Sequence, residues 1–407
     1  MKPHLPFGLR KAVLAALFLS IPGLSHAYGA TESLTHNQHA VLHALQAAEA
    51  HSPDGALAEV IEAMQHTSNA QEGKHGLENL SGNAYTTLMT GLLAGSQNHT
   101  RSLRSMIGHM PDNVVPTDGK SDGITYSDSV WFAPFVNSNK VGSDGNAPGF
   151  TRYGWGGVLG AEHRAPDGDI MGIAGGYEHH RNSVHNGRIH GNTYYIDLYL
   201  AQRLTKHWHH CATLGVGLHD FYMKRGISIG GDSPFAAGCK SDTNATTLNL
   251  GYELAYDMEL SQQSRFTPFF TMDSTWAWLD GFSESGAGNA GLHVKSENAW
   301  GIVFGLGTRY TRDFELMPNS RTATFTAEAM LLLDAGDQGK SVNASFLGAP
   351  QNRFTLDEAD YGRVGCLIGA GLTIPVKDRW TAFGSAGYEF RESLRTFNAN
   401  MGMSYSF

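Results

Sequence analysis

Apolar and polar side chains alternate with a period of two from residue 129 to the end of the chain. The clearest example is segment 247–260, in which Leu248, Leu250, Tyr252 and the alternate residues up to Leu260 are all apolar. A period of two predicts β-strands with one apolar face. About a dozen such segments follow one another with no helical pattern between them, which predicts an all-β domain.

Strand length and loop length further restrict the fold. The predicted strands are residues 129–138, 151–165, 170–182, 191–204, 208–223, 244–260, 265–279, 294–313, 320–334, 363–374, 380–391 and 395–407. Segments of about ten residues or more are long enough to cross a bilayer with a tilt. Short turns, such as 166–169, 205–207, 261–264, 314–319 and 375–378, alternate with long connections at 224–243, 280–293 and 335–362. This asymmetry is typical of an outer-membrane barrel.

The end of the chain takes part in the same pattern. Within hydrocarbon every backbone N–H and C=O must be paired, so an open sheet edge is excluded and the last strand must pair with the first. Phe397, Met401, Met403, Tyr405 and Phe407 are then expected to face lipid. Tyr405 and Phe407 would belong to the aromatic girdle at one membrane interface.

The first residues have the pattern of an export signal. Lys2, Arg10 and Lys11 precede the apolar run 12–19, and Ser25-His26-Ala27 forms a small-x-small cleavage site. This pattern predicts a secretory signal peptide cut after Ala27, and no other apolar run is long enough to span a bilayer. The predicted organisation is a signal peptide at 1–27, a short helical segment with a linker at 28–128, and a twelve-stranded antiparallel transmembrane β-barrel at 129–407.

The segment from residue 34 to 110 has a helical period. Its clearest stripe, with spacings of three and four, consists of Tyr85, Leu88, Met89, Leu92 and Leu93. Arg101 and Arg104 follow near the end of this run, where a helix C-terminus favours cations. Pro111 and Pro116 end the helical pattern.

Small and charged residues dominate the face opposite the lipid face. The inward glycines of the predicted register are Gly154, Gly156, Gly160, Gly215, Gly217, Gly301, Gly305, Gly307, Gly365, Gly369 and Gly371. They either leave room for a helix inside the barrel or ease the curvature of the strands. The inward charges are Glu162, Asp197, Glu253, Asp257, Asp273, Arg309 and Glu328. Such charges would line a wet or plugged interior.

The composition gives no sign of a nucleic-acid partner or a disulfide framework. The formal net charge is −9, the opposite of a nucleic-acid binder. Cys211, Cys239 and Cys366 leave at least one thiol unpaired, and spacing alone leaves a Cys211–Cys239 bridge open.

Known catalytic and metal motifs are missing from the sequence. It contains no H-E-x-x-H, G-x-S-x-G or Walker motif. Histidines cluster at 179–190 and 207–210, but their spacing fits no standard metal site, so we expect no metal, no cofactor and no catalytic residue. Ser274 and His163 are on the predicted lipid face without forming a convincing pair, although an outer-membrane hydrolase stays a minor alternative.

Several segments resemble the autotransporter translocator domain, the C-terminal barrel of type V secretion proteins. They are "YGWGGVLGAEHRAPDGDIMGIAGGYEHHRN" (153–182), "LGYELAYDMELSQQSRFTPFFTM" (250–272), "ENAWGIVFGLGTRYT" (297–311), "AGYEFRESLRTFNANMGMSYSF" (386–407) and the pre-barrel "LENLSGNAYTTLMTGLLAGSQNHTRSLRSMIG" (77–108). The resemblance implies twelve strands around a central helix. It also implies that Tyr405 and Phe407 form the signal read by the barrel-assembly machinery. The implied partners are outer-membrane lipid, this machinery and periplasmic chaperones, for a protein that is monomeric.

The chain departs from the family in one respect. Only about a hundred residues separate Ala27 from the first strand, so there is little or no passenger, and the family's Asn-Asn cleavage pair is absent, with Asn113 alone in the linker. We therefore expect an outer-membrane barrel that exports or displays its own short helical segment. An adhesin-like barrel, which would bind a partner through loops 224–243 and 335–362, is the alternative.

Overall fold

The computed structural model describes residues 34–109, 128–165, 168–184, 186–315, 322–337, 341–377 and 379–407. The predicted signal peptide and most of the predicted linker, with Asn113, lie outside these residues. The helices of the described part are α1 (His36–Glu49), α2 (Gly55–Gln65), α3 (Ala70–Leu80) and α4 (Asn83–His109). Its strands are β1 (Asp128–Val141), β2 (Phe150–Arg164), β3 (Ile170–Val184), β4 (Gly187–Arg203), β5 (Trp208–Ile229), β6 (Phe235–Tyr256), β7 (Met258–Ser261), β8 (Ser264–Leu279), β9 (Phe282–Ser283), β10 (Leu292–Val294), β11 (Glu297–Glu315), β12 (Thr322–Asp334), β13 (Ser341–Phe346), β14 (Arg353–Asp357), β15 (Val364–Lys377), β16 (Trp380–Arg391) and β17 (Leu394–Ser406).

Twelve antiparallel strands form a closed barrel. Around the barrel the order is β1-β2-β3-β4-β5-β6-β8-β11-β12-β15-β16-β17, and β7 continues β6. β17 pairs with β1, with Val130 opposite Tyr405 and Ser138 opposite Phe397. The backbone N–H of Phe407 donates to the carbonyl of Asp128 at 2.8 Å. The predicted closure between the last strand and the first is therefore confirmed.

The lipid-facing surface follows the predicted register. The exposed fractions of Phe397, Met401, Met403 and Phe407 are 43%, 69%, 46% and 51%. These side chains therefore lie on the outer surface, where they contact lipid rather than the interior. Polar residues and glycines lie on the opposite face of the same strands. None of the helices in the described part of the chain is both long and apolar enough to cross a membrane.

The long connection predicted at 224–243 is wrong. β5 continues to Ile229 and β6 begins at Phe235, so these residues extend a β-hairpin above the membrane. In this extension the alternation reverses its polarity. Ile227 and Ile229 point inward and are buried, whereas Lys224 and Ser228 point outward and are exposed.

The other two long connections build a small sheet of their own. β9 and β10 come from the predicted loop 280–293, and β13 and β14 come from 335–362. They pair in the order β14-β13-β10-β9. This four-stranded sheet lies at the same end of the barrel as the extended β5–β6 hairpin, to which it is joined by the bridge between Lys240 and Ser285.

Helices α1, α2 and α3 pack on this small sheet and on the extended hairpin, and we call them the cap. Thr35 starts α1 with a capping box, and Asn69 caps α3 by accepting from two backbone N–H groups. α3 lies within the segment predicted to be helical, and it contains Gly73 and Gly76. Leu45, Leu57 and Leu77 contribute to one core together with Phe346 and Leu356 of the small sheet.

The two ends of the barrel have different connections. Asp128, Phe407 and the short turns lie at one end, and the small sheet, the extended hairpin and the cap lie at the other. Short turns mark the periplasmic side of outer-membrane barrels and long connections mark the outer side. The cap therefore sits at the outer mouth.

Cys211 and Cys239 are too far apart for a disulfide. Cys211 is opposite Glu253 and Cys239 is opposite Arg225, on rungs fourteen residues apart along β5. At about 3.3 Å per residue the separation is roughly 45 Å, far beyond the reach of a disulfide.

Candidate functional site

Helix α4 fills the interior of the barrel from the outer mouth to the periplasmic end. Near its N-terminus, Ala84 packs with Phe150 and Tyr361 at the outer ends of the wall. Near its C-terminus, Leu103 and Met106 pack with Trp131 and other residues of the periplasmic half. The predicted stripe, Tyr85 with Leu88, Met89, Leu92 and Leu93, is buried in the core that α4 shares with the cap. The helical plug is therefore the central feature of the interior.

Two arginines of α4 are tied to the wall by buried ion pairs. Arg104 donates two hydrogen bonds to Asp273, at 2.6 and 3.2 Å, and its Nε lies 3.4 Å from Glu253. Arg101 donates to Glu389 at 2.6 Å, and its Nε lies 3.8 Å from Asp273. All five side chains are more than nine-tenths buried. The wall carboxylates, rather than the helix C-terminus, determine the position of both cations.

These pairs belong to one continuous network along the lumen. From the outer end to the periplasmic end its members are Asp334, Arg391, Glu389, Arg101, Asp273, Arg104, Glu253, Arg309 and Glu328. Each charge has at least one opposite neighbour within 4.0 Å. Because an unpaired buried charge is costly, this network specifies one position of α4 in the barrel.

A second polar contact lies on the other side of α4. His99 forms a 2.8 Å hydrogen bond with Asp197, and its ring stacks on Tyr195 with 3.7 Å between ring centroids. Next to it, Asn398 of β17 donates to Asn98 at 2.8 Å. The strand register predicts that Asp197 faces the interior, but it does not identify His99 as its partner. The signal that could have found it is the run of polar residues 96–101 inside an apolar helix.

Glu284 joins the cap, the plug and the wall at the outer mouth. Arg225 of β5 donates to both its carboxylate oxygens, at 2.5 and 2.7 Å, and the N–H of Leu292 donates to it at 2.7 Å. Tyr85 of α4 donates to Glu284 as well, and Arg225 also donates to the carbonyl of Asn79 at 2.7 Å. Burial alone would raise the pKa of Glu284, but the guanidinium of Arg225 and the bonds donated to the carboxylate hold it below its ordinary value. We call Glu284, Arg225, Tyr85 and Asn79 the mouth cluster.

The inward-facing glycines make room for two different neighbours, the plug helix and side chains of the wall itself. A Cβ on Gly301 would lie 2.6 Å from Gln97, and one on Gly251 would lie 2.5 Å from Thr100, so these two make room for α4. Gly160 and Gly215 instead accommodate the wall side chains of Trp131 and Asp197. The plug therefore needs only some of the small positions.

Little space remains beside the plug. A cavity of about 50 Å³ lies between α4 and the wall, and it is lined by Arg104, Glu253, Arg309, Glu328 and their neighbours. This volume holds a few water molecules and is far too small for a polypeptide. The barrel as described is closed.

The residues predicted as an assembly signal lie apart from this interior. Tyr405 and Phe407 are at the periplasmic end on the outer surface, where Tyr405 contacts Trp380 with 4.9 Å between ring centroids. The two lipid-face residues considered for hydrolysis do not meet either. His163 is on β2 and bonds to Asp128 at 2.7 Å, whereas Ser274 is on β8. Among the described residues, no group of three or more His, Cys, Asp or Glu side chains is arranged to hold a metal ion.

Comparison with known proteins agrees with this architecture. The sequence model of the autotransporter beta-domain family matches residues 130–387, more than half of the chain. The translocator domain of the autotransporter NalP from Neisseria meningitidis superimposes with a TM-score of 0.58 at 13% identity, covering 77% of this chain and 98% of that one. The beta domain of the Bordetella autotransporter BrkA gives a TM-score of 0.49 at 17% identity, covering 69% of this chain and 100% of that one. The transport unit of AIDA-I from Escherichia coli gives 0.48 at 13% identity, covering 77% and 99%.

No curated protein sequence matches the chain. The family match, the closed twelve-stranded barrel and the helix through its lumen all lead to the same assignment. The chain belongs to the autotransporter family, as an outer-membrane translocator barrel with an N-terminal helical segment.

Proposed function

We propose that this barrel exports its own N-terminal segment and then displays it, with α1–α3 as a folded cap at the outer mouth and α4 as a permanent plug. The observation that carries the proposal is the path of α4. Its N-terminal end joins the cap at the outer mouth, and its C-terminal end lies at the periplasmic end, where β1 begins. A segment in this position has the cap on one side of the membrane and the beginning of the first strand on the other.

Surface labelling tests the orientation. In a chain whose three native cysteines are replaced by alanine, Ser68→Cys places a thiol on the exposed side of the cap, and Gln262→Cys places one in an exposed turn at the opposite end. A membrane-impermeant maleimide is expected to label the Ser68→Cys variant on intact cells and the Gln262→Cys variant only after permeabilisation. Labelling in the reverse order, or a cap thiol that reacts only after permeabilisation, would contradict display.

We propose further that Tyr405 and Phe407 form the feature by which the barrel-assembly machinery recognises the last strand, after periplasmic chaperones have delivered a monomeric chain. The support is their position. Phe407 is 51% exposed on the outer surface of the closing strand, so its ring is accessible without disturbing the barrel. Its backbone alone makes the closing hydrogen bonds with Asp128.

Substitution of Phe407 tests whether its ring is needed for assembly of the barrel rather than for the stability of the folded barrel. Phe407→Ala is expected to lower the amount of folded barrel in the outer membrane several-fold, while barrels that do fold melt at nearly the wild-type temperature, because the strand pairing does not use the ring. The amount of heat-modifiable barrel on a gel and its melting temperature are the two measurements. Met401→Ala is the matched control, since Met401 is 69% exposed on the same strand. Equal yields for both variants would refute a special role for the terminal residue.

A further inference from the structure

The outer ends of β3 to β6 carry a group of basic side chains on the outward face of the wall. Arg181, Arg188, Lys224 and Lys240 all point outward and are exposed. We call these four residues the basic patch. They are unrelated to the plug and the cap, because they lie on the opposite face of the strands.

Strand register brings these cations together. Arg188 is directly opposite Lys224, Lys224 is directly opposite Lys240, and Arg181 is directly opposite His190. Directly opposed side chains in a sheet have Cβ atoms about 5 Å apart, and like charges at such positions repel. Within the described part of the chain none of the four cations forms a salt bridge.

The acidic residues on the same surface do not balance the patch. Asp220 and Asp242 also point outward, opposite Asn192 and Tyr222 respectively. Two carboxylates thus accompany four cations on this surface. The surface is therefore complementary to an anion with more than one negative charge.

Aromatic side chains place the basic patch at the edge of the membrane. Tyr153 and Tyr222 lie on the same rung as Arg181 and His190, and the ring of Tyr222 is 5.1 Å from the ammonium of Lys224. Exposed aromatic residues of this kind mark the membrane interface of a barrel. Toward the periplasm the same face becomes continuously apolar, with Ile196 and Leu218 exposed. Acyl chains can pack on this lower surface while a headgroup reaches the cations.

We propose that the basic patch binds the phosphorylated headgroup of a lipid in the outer leaflet. Guanidinium and ammonium groups form charge-assisted hydrogen bonds with phosphate oxygens, and Arg188 beside Lys224 offers both kinds of donor. The apolar wall beneath favours a lipid over a soluble phosphate, because it provides a contact surface that only the lipid uses.

Binding is measured with the full-length mature protein in detergent micelles, by native mass spectrometry with bisphosphorylated lipid A as the probe. The double variant Arg188→Gln/Lys224→Gln is expected to bind it at least about tenfold more weakly, since two charge-assisted contacts are lost. Lipid A from which both phosphates have been removed should show a similar loss with the wild-type protein. Lys140→Gln/Lys206→Gln removes two exposed cations elsewhere on the barrel and should bind like the wild type.

Three results would overturn the proposal. The first is an unchanged affinity for lipid A in the Arg188→Gln/Lys224→Gln variant, and the second is an equal loss of affinity in the control variant. The third is displacement of lipid A by inorganic phosphate at comparable concentration, which would indicate an ion site that needs no lipid. Heat-modifiable migration on a gel verifies that each variant is folded. Because the measurement uses purified protein, its outcome is independent of the cap orientation tested above.

Discussion

A chain that lacks residues 34–109 is expected to form an open pore. In planar bilayers its single-channel conductance should exceed that of the intact chain on the order of tenfold, because a helix about 10 Å across is replaced by water. In the intact barrel α4 occupies the lumen, and the cavity beside Arg104 has a volume of about 50 Å³. Conductance of the two proteins under the same salt conditions is the measurement.

The open pore should also prefer cations. The inward carboxylates of the described wall include Glu162, Glu178, Asp197, Glu253, Asp273, Glu328, Asp334 and Glu389, and its inward arginines include Arg152, Arg225, Arg309 and Arg391. Removing α4 also removes Arg101 and Arg104, so the remaining surface is negative and a reversal potential in a salt gradient should show cation selectivity.

A chain that lacks only 34–80 is the matched control for the pore. It loses the cap but keeps α4 and its ion pairs, so it should stay closed. If the intact chain already conducts as well as the larger deletion, α4 does not plug the lumen and our assignment of the interior is wrong.

Loss of Glu284 is expected to release the cap from the barrel. Glu284→Ala leaves the guanidinium of Arg225, only 2% exposed, without its carboxylate, and breaking a buried ion pair of this kind costs about 3–5 kcal/mol. The free energy of opening of α1, α2 and α3, measured by amide hydrogen exchange, should fall by a corresponding amount. Glu62→Ala, at an exposed position of α2, is the control, and it should change this free energy of opening by less than about 0.5 kcal/mol.

Two further variants separate charge from packing in the mouth cluster. Glu284→Met/Arg225→Met removes both charges and keeps the volume similar, so it should recover much of the lost protection. If the double variant is as poorly protected as Glu284→Ala, the effect comes from lost hydrogen bonds to Tyr85 and Leu292 rather than from an unpaired charge.

The same cluster makes cap docking sensitive to acid. The pKa of Glu284 is held below its ordinary value of about 4.5, mainly by the charge of Arg225 acting against burial. The contribution of Glu284 to cap docking is therefore complete above about pH 4.5, and it is lost as the pH falls through the lower pKa that Glu284 has in the folded protein. Protection factors of the cap, corrected for intrinsic exchange rates, should show this loss in the wild type and not in Glu284→Gln.

The barrel could be predicted from the sequence because the residues of each strand by themselves indicate which face contacts lipid and which faces the lumen. In the membrane each strand must be apolar outward and polar inward, so the alternation reports both the strand and its register, as Met401 and Met403 show. Above the membrane the solvent lies outside and the cap lies inside, so the polarity reverses. The outward Lys224 and Ser228 and the inward Ile227 and Ile229 reflect this reversal, and the strand ends predicted from membrane polarity were therefore too short.

The ion pairs of the plug could not be derived in the same way. Arg101 and its partner Glu389 are separated by 288 residues, and no local pattern relates them. The sequence showed charges on the inward face and cations on the helix, but their pairing depends on how deeply α4 sits in the barrel. That depth depends on the whole fold, because the packing around Ala84 and around Leu103 must agree with the ion pairs of the two arginines of α4.

The cap packs three helices side by side on the small sheet, whereas the lumen holds α4 alone, and a helix is about 10 Å across with its side chains. If the segment is exported as proposed, it could return to the periplasm only by unfolding the cap and by separating the buried charges of α4 from their partners. On the proposed export, the free energy of folding the cap outside the membrane would oppose the return of the segment.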